Sequence, residues 1–375
     1  MAKKNKAHYS GIGGQAVLEG VMMKNGEKYA VAVRKPDGEI EVEVDNYQGV
    51  LHGSKIKNIP FVRGVFNFAD SLILGSKCLN YSADFYEEED AKETVVDKAL
   101  NKVTKGNAEK VLTTIVTLFS VVLAVGIFIV LPYFITSFFE EYVRSRVLMS
   151  IIEGAIRIAI FLLYTVLISL MKDIKRLYMY HGAEHKCINC IERGRPLTVG
   201  NVMRSSRIHK RCGTSFMFFV MFVSIILFFF IQVSNPLIKV VLRILLIPVI
   251  AGISYELIRL AGRSNNIFVR ILSAPGMLIQ KLTTKEPTKD MILVAIASID
   301  AVFDWKAYLK EEFGYEETDE PKEEDDEEEQ TDKKSKKVKS EFVEVKTEES
   351  GSEEEVSEKK DSESNTEDMG QEHEL

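Results

Sequence analysis

Four long apolar runs, at residues 111–139, 147–171, 214–233 and 237–260, constrain this 375-residue chain more than any other feature. A helix rises about 1.5 Å per residue, so about 20 residues cross a hydrocarbon core roughly 30 Å thick. The first run carries no charged residue. The connections after the first and third runs, EEYVRSR and SNP, are too short to hold domains. The pattern therefore predicts four transmembrane helices in two tight hairpins. The expected fold class is an α-helical integral membrane protein with a small N-terminal α+β domain and a disordered acidic C-terminal tail.

Orientation follows from the basic residues near the span ends. The middle connection, residues 172–213, holds Lys172, Lys175, Arg176, Lys186, Arg193, Arg195, Arg204, Arg207, Lys210 and Arg211, whereas the two short connections hold few. That places the middle connection in the cytoplasm and, with four spans, both termini as well. The opening residues MAKKNKAHYSGIGGQ are basic with no apolar stretch behind them, so no signal peptide is expected. The localisation predicted is the cell membrane, multi-pass. Four cysteines in such a chain read as reduced ligands or buried thiols rather than a disulfide framework.

Charge is distributed unevenly. Residues 316–375 hold 26 acidic residues against nine lysines, a net of −17, which against −7 for the whole chain leaves +10 on the first 315 residues. A basic body suits the headgroups of a lipid bilayer, and nothing points to nucleic acid. The tail is too polar to build a core. It is a candidate surface for a basic protein partner, set against the plainer reading of a solvated tail.

The remaining segments divide as 1–86, a cytoplasmic α+β domain; 87–110, a charged linker; 111–263, the transmembrane bundle; and 264–315, cytoplasmic amphipathic helices. In the first, residues 29–34 and 39–44 alternate about a Pro36-Asp37-Gly38 turn, the pattern of a β-hairpin with Ile40, Val42 and Val44 on its buried face. Gly11, Gly13 and Gly14 read as turn residues rather than a phosphate cradle, because the other residues of a P-loop or dinucleotide fingerprint are missing. After Pro60 the apolar residues fall at helical spacing, an amphipathic helix for the sheet or the bilayer. A break is expected at Pro275-Gly276, and one helix over residues 288–309. Within the spans, Glu153 and Arg157 stand four apart and Arg243 lies at similar depth, which reads as an ion pair facing the bundle. Pro248 and Gly252 should bend the fourth span or let a neighbour approach closely.

The chemistry concentrates between residues 180 and 212. Three of the six histidines and three of the four cysteines lie there: His181, His185 and His209 with Cys187, Cys190 and Cys212. His181 and His185 are four apart, so on a helix both rings leave one face, and Glu184 shares it. The order His-x-x-Glu-His is that of the inverted zincin metalloproteases, where two histidines bind zinc and the glutamate takes a proton from the attacking water. His209 and Cys212, three apart, can approach the same point from an adjacent helix. Glu256, 71 residues after His185, is a further ligand candidate, like the distant acidic ligand of inverted zincins, or else the partner of Arg259. Cys187 and Cys190 form a C-x-x-C unit that, with His209 and Cys212, would make a closed structural site.

Four motifs, GGQAVLEGVMM at residues 13–23, YHGAEHK at 180–186, HKRCGTSF at 209–216 and YELIR at 255–259, resemble the YqhQ-like family of bacterial membrane proteins. The resemblance covers about residues 9–312. Members are labelled as metal-dependent enzymes without an assigned reaction. It implies that His181, Glu184, His185, His209 and Cys212 form the motif core and leaves Cys187 and Cys190 outside it. It also makes Glu19 a second acidic candidate should the N-terminal domain fold against the bundle. The expectation is a divalent metal, zinc, held by His181, His185 and one of His209, Cys212 or Glu256, with Glu184 as the catalytic base of a hydrolase at the cytoplasmic membrane surface. The competing reading is a non-catalytic membrane scaffold around a structural metal site. A transporter ranks third, for want of polar midplane helices or an internal repeat.

Overall fold

The structure, a computed structural model, describes residues 8–86, 108–231, 233, 235–263 and 266–316. Most of the charged linker and the acidic tail lie outside the described residues. Four strands, β1 (Ile12–Val17), β2 (Gly20–Asn25), β3 (Lys28–Arg34) and β4 (Ile40–Asn46), form an antiparallel meander in sequence order. The first hairpin pairs Val17 with Gly20, and Glu19 in its turn takes a positive φ of 49°. The Glu19 carboxylate is gripped by the Arg176 guanidinium and accepts the Tyr180 hydroxyl at 3.2 Å, which holds that turn to the helical body.

Helices follow: α1 (Val62–Asp84), α2 (Ala108–Val125), α3 (Leu131–Ser137), α4 (Arg146–Ser169), α5 (Lys172–Glu192) and α6 (Val199–Met203). Then come α7 (Gly213–Phe229), α8 (Pro236–Leu245), α9 (Ile247–Arg263), α10 (Ile267–Thr283), α11 (Lys289–Val302) and α12 (Trp305–Phe313). A π turn at Gly126–Val130 joins α2 to α3.

Two helical segments, Thr114–Ser137 and Val147–Ser169, are long and apolar enough to cross a membrane, with mean hydropathies of 2.8 and 2.1. The fourth apolar run divides into α8 and α9, bent by 42°, and counts as one further span only if the bent pair is taken together. Pro248, two residues into α9, has no N–H to continue the ladder, which explains the break. The third run, α7, falls short of a full span at 17 residues.

The sheet is covered on both faces. One face, with Ile12, Val21 and Met23, packs against Tyr180, Cys187 and Ile188 of α5 and against α11. The other, with Val17, Met22 and Val31, packs on Leu74 and Cys78 of α1. Ser298 of α11 donates to the Ala30 carbonyl at 3.0 Å, closing a contact 268 residues wide. On β4, Ile40 packs against the same core, but Val42 and Val44 are 36% and 46% exposed, because α11 lies chiefly over β2 and β3 and covers this edge strand only in part. Gly13 and Gly14 sit inside β1, not in a turn; of the three glycines only Gly11 has a positive φ.

Other departures have local causes. α10 runs straight through Pro275, whose neighbour Gly276 lies against the Ser215 backbone. The segment after Pro287 forms two helices because the Asp304 side chain caps the Ala307 N–H and starts α12 afresh. α1 crosses α9 at glycines: a Cβ on Gly252 would stand 2.5 Å from the Phe61 carbonyl oxygen. Between α4, α7 and α8, Glu153 accepts from both Arg157 and Arg243 at 2.8 Å, and Arg157 also reaches Ser224 at 3.1 Å.

One close approach determines the position of the chemistry. A Cβ on Gly182 of α5 would lie 2.0 Å from the Lys285 carbonyl oxygen, while the Lys285 N–H donates to the Tyr178 carbonyl at 2.8 Å. Gly to Ala inside a helix ordinarily stabilises by about 1 kcal/mol. Here overpacking reverses the sign, and Gly182→Ala should cost about 1–3 kcal/mol. Thermal unfolding in detergent should show a lower midpoint for G182A than for wild type, whereas Gly126→Ala, where a Cβ meets nothing within 4 Å, should not lower it.

Candidate metal centre

The site is built on α5, which begins anew after a turn at Leu170 and Met171. Helical spacing brings the His181 and His185 rings to 4.4 Å between centroids. Cys212 is the N-cap of α7, and its sulfur accepts the Thr214 N–H at 3.4 Å. The loop before it is pinned to α10 by Gln280, which accepts the His209 N–H at 2.9 Å and donates to the His209 carbonyl at 2.8 Å.

One ligand atom from each of His181, His185 and Cys212 lies within 4.8 Å of the others, and the three residues form a group that could hold a metal ion. The Cys212 sulfur stands 3.3 Å from His181 Nε2. Both imidazoles are oriented by backbone carbonyls: His181 Nδ1 meets Thr283 O at 3.0 Å and His185 Nδ1 meets Arg207 O at 2.6 Å. A carbonyl can only accept, so each Nδ1 carries the hydrogen. Each neutral ring then keeps its Nε2 lone pair for an ion, the arrangement that second-shell groups impose on metal-binding histidines. The residues therefore fit a metal by tautomer as well as by position.

Glu184 is buried beside them, with its carboxylate 3.8 Å from His181 Nε2. Burial pushes its carboxyl up, against the opposing pull of His185 and His181. Burial also opposes charge on His181, but the Cys212 sulfur and Glu184 outweigh it and raise the imidazole to about 9. For Cys212 burial opposes the thiolate, and His181 and His185 outweigh it and hold the thiol well below its ordinary value. A cavity of about 100 Å³ lies against these groups, closed on one side by Ile12, Gly13 and Gly14 of β1. A Cβ on Gly14 would stand 2.8 Å from Glu184 Cγ, so only glycine lets the strand lie against that carboxylate.

Other sequence candidates stand apart from the cluster. His209 lines the cavity, but its Nε2 faces Glu192 at 3.3 Å. Burial works against an ionised Glu192, yet hydrogen bonds from His209, with Arg211 and Ser10 beside it, hold its carboxyl down to about 2. Glu256 forms a two-point pair with Arg63, both contacts at 2.6 Å, and Arg259 is 3.9 Å away. Glu19 belongs to the hairpin turn described above. Cys187 is fully buried in the core, and Cys190 bonds the Pro196 carbonyl at 3.4 Å. Sequence reasoning missed Gly14 as the wall of the site, though GGQ was among its motifs, and missed Arg63 as the partner of Glu256. It had no means of finding the carbonyls of Arg207 and Thr283.

Residues 59–305 match the family model described as a protein of unknown function, DUF1385. The chain is also similar to the uncharacterised protein YqhQ of Bacillus subtilis (strain 168), 32% identical over 289 residues that cover 77% of this chain and 91% of that relative. No solved structure matches.

Metal binding requires a neutral His181, whose pKa without metal is about 9. Burial opposes charge on His185 too, and the Cys212 sulfur outweighs it and raises that imidazole. An ion therefore displaces at least one proton at neutral pH, and affinity should rise about tenfold or more per pH unit up to roughly pH 9 and then level off. Competition against a chelator of known affinity from pH 6.5 to 9.5 checks this. His181→Ala and Cys212→Ala should each lose the stoichiometric ion in a metal-content measurement.

Proposed function

We propose, for a chain that belongs to the DUF1385 family, that the cluster of His181, His185 and Cys212 is the centre of a metal-dependent hydrolase at the cytoplasmic surface of the cell membrane. Two imidazoles and a thiolate suit zinc. The observation that carries the reading is the pair of carbonyl-bound Nδ1 atoms, which leave both Nε2 lone pairs free, with one ligand atom each from His181, His185 and Cys212 within 4.8 Å of one another beside a buried carboxylate. Structural zinc sites are closed by four protein ligands, whereas catalytic sites take three and keep a position open. Among the described residues the group has three, which favours catalysis over a scaffold.

The roles follow from the surroundings. His181, His185 and Cys212 hold the ion, which supplies Lewis acidity to water and to a substrate carbonyl or phosphoryl group. Glu184, whose burial raises its proton affinity toward the working range of a general base, takes the proton from the attacking water and returns it to the leaving group. His209, set by Glu192, and Arg211 line the cavity without joining the ligands. For the membrane, we read the apolar run that includes α7 as a span and α8 with α9 as one bent span, completing four. The basic connection of α5 and α6 then faces the cytoplasm.

Glu184→Gln separates this reading from a structural site. Zinc-loaded wild type should hydrolyse members of a panel of amide, ester and phosphoester reporters. E184Q should lose about 10²–10⁴-fold in rate while its metal content and unfolding midpoint stay unchanged. Equal rates for both proteins, or no turnover by the loaded wild type, would overturn the hydrolase.

A further inference from the structure

β1 is an edge strand of the sheet. The ladder shows which of its groups are free. Lys35 N–H to Glu39 O and Tyr47 N–H to Glu27 O, both at 2.8 Å, direct the odd-numbered residues of β3 toward β4. Arg34 N–H to Glu19 O at 2.9 Å directs the even ones toward β2. In antiparallel pairs these directions alternate, so Gly20, Met22 and Lys24 bond Val17, Gln15 and Gly13 of β1. The N–H and C=O groups of Gly14 and Ala16 are left pointing outward.

Among the described residues this edge is closed at its ends and open in the middle. The Ile12 N–H is taken by Ser10 Oγ at 3.3 Å, and the Leu18 N–H beyond the strand by Ser82 Oγ at 3.1 Å. Between them Gly13 and Gly14 are exposed, and a Cβ on Gly13 would meet nothing within 4 Å. An unblocked strand edge is a hazard that proteins normally cover. Here the uncovered part is the part beside Glu184 and the ligand cluster, and it walls the same cavity.

We infer that the substrate of this centre is an extended polypeptide that adds to β1 as a further strand, hydrogen-bonding the main chain at Gly14 and Ala16. Main-chain pairing of this kind supplies affinity for any extended peptide. The inference rests on the hydrolase reading above and names its substrate class. In the reaction the water oxygen bonds to the amide carbon and the carbon–nitrogen bond breaks. Glu184 accepts the water proton and delivers it to the departing amine, so the products are one carboxylic acid and one amine with no change of oxidation state.

The test uses full-length zinc-loaded protein and quenched-fluorescent peptides of extended eight-residue sequence, each also prepared with a single N-methyl group moved along the backbone. N-methylation deletes one donor, so the inference expects kcat/KM to fall about fivefold or more at every second position on the bound side. Ala16→Pro, which removes one outward N–H at an edge that tolerates proline, should raise KM with metal content and unfolding midpoint unchanged. Cleavage without the alternation, or unchanged KM in A16P, would overturn edge docking. Glu184-dependent hydrolysis of ester or phosphoester reporters with no peptide cleaved would also overturn it, leaving the hydrolase standing. No Glu184-dependent turnover of any reporter would remove the hydrolase reading and this inference with it.

Discussion

The contact between Gly182 and the chain at Thr283–Lys285 is the constraint on which the centre depends. Because residue 182 has no side chain, the segment leaving α10 can lie directly on α5 and exchange a backbone hydrogen bond with Tyr178. That placement brings the Thr283 carbonyl to His181 Nδ1 and fixes its tautomer. A methyl group at 182 would move the carbonyl away and let the ring turn. The second carbonyl, from Arg207, depends in turn on the loop that Gln280 clamps to α10. Both histidines are thus aimed by the end of one helix, through two different routes.

The same economy of charge is visible elsewhere. Glu153 between Arg157 and Arg243 is shielded within the apolar helices, with the guanidinium groups also lying 4.7 and 4.9 Å from the Phe228 ring centroid. A lone ion buried among apolar side chains would be costly, whereas two cations around one carboxylate share hydrogen bonds and ring faces. Glu256 and Arg63 play a comparable part at the α1–α9 crossing, where they tie the helix that covers the sheet to a helix of the apolar body.

Sequence showed what periodicity and local chemistry can show. The apolar runs, the hairpin about Pro36-Asp37-Gly38 and the shared face of His181, Glu184 and His185 are all short-range patterns, and each can be read from spacing. It separated poorly among His209, Cys212 and Glu256, because that choice depends on partners distant in the chain: Glu192 for the first, His181 for the second, Arg63 for the third. The exposure of Val42 and Val44 was equally hidden, since alternation marks one face as apolar without saying whether α11 reaches it. Gly13 and Gly14 were read as turn residues because glycine usually serves there. In the structure both lie inside β1, and Gly14 makes room for the strand against Glu184.

The two carbonyl clamps also impose an order on how the protein comes into being. His181 and His185 are synthesised long before Thr283, with α7 to α10 still to be made and laid in place. Until α10 docks, neither ring has its fixed hydrogen and Cys212 has no anchored loop. A nascent or truncated chain would therefore present loose imidazoles and a thiol rather than a preformed set of ligands. Were the group to hold an ion, loading would wait until the apolar helices had assembled, and occupancy would record completed folding.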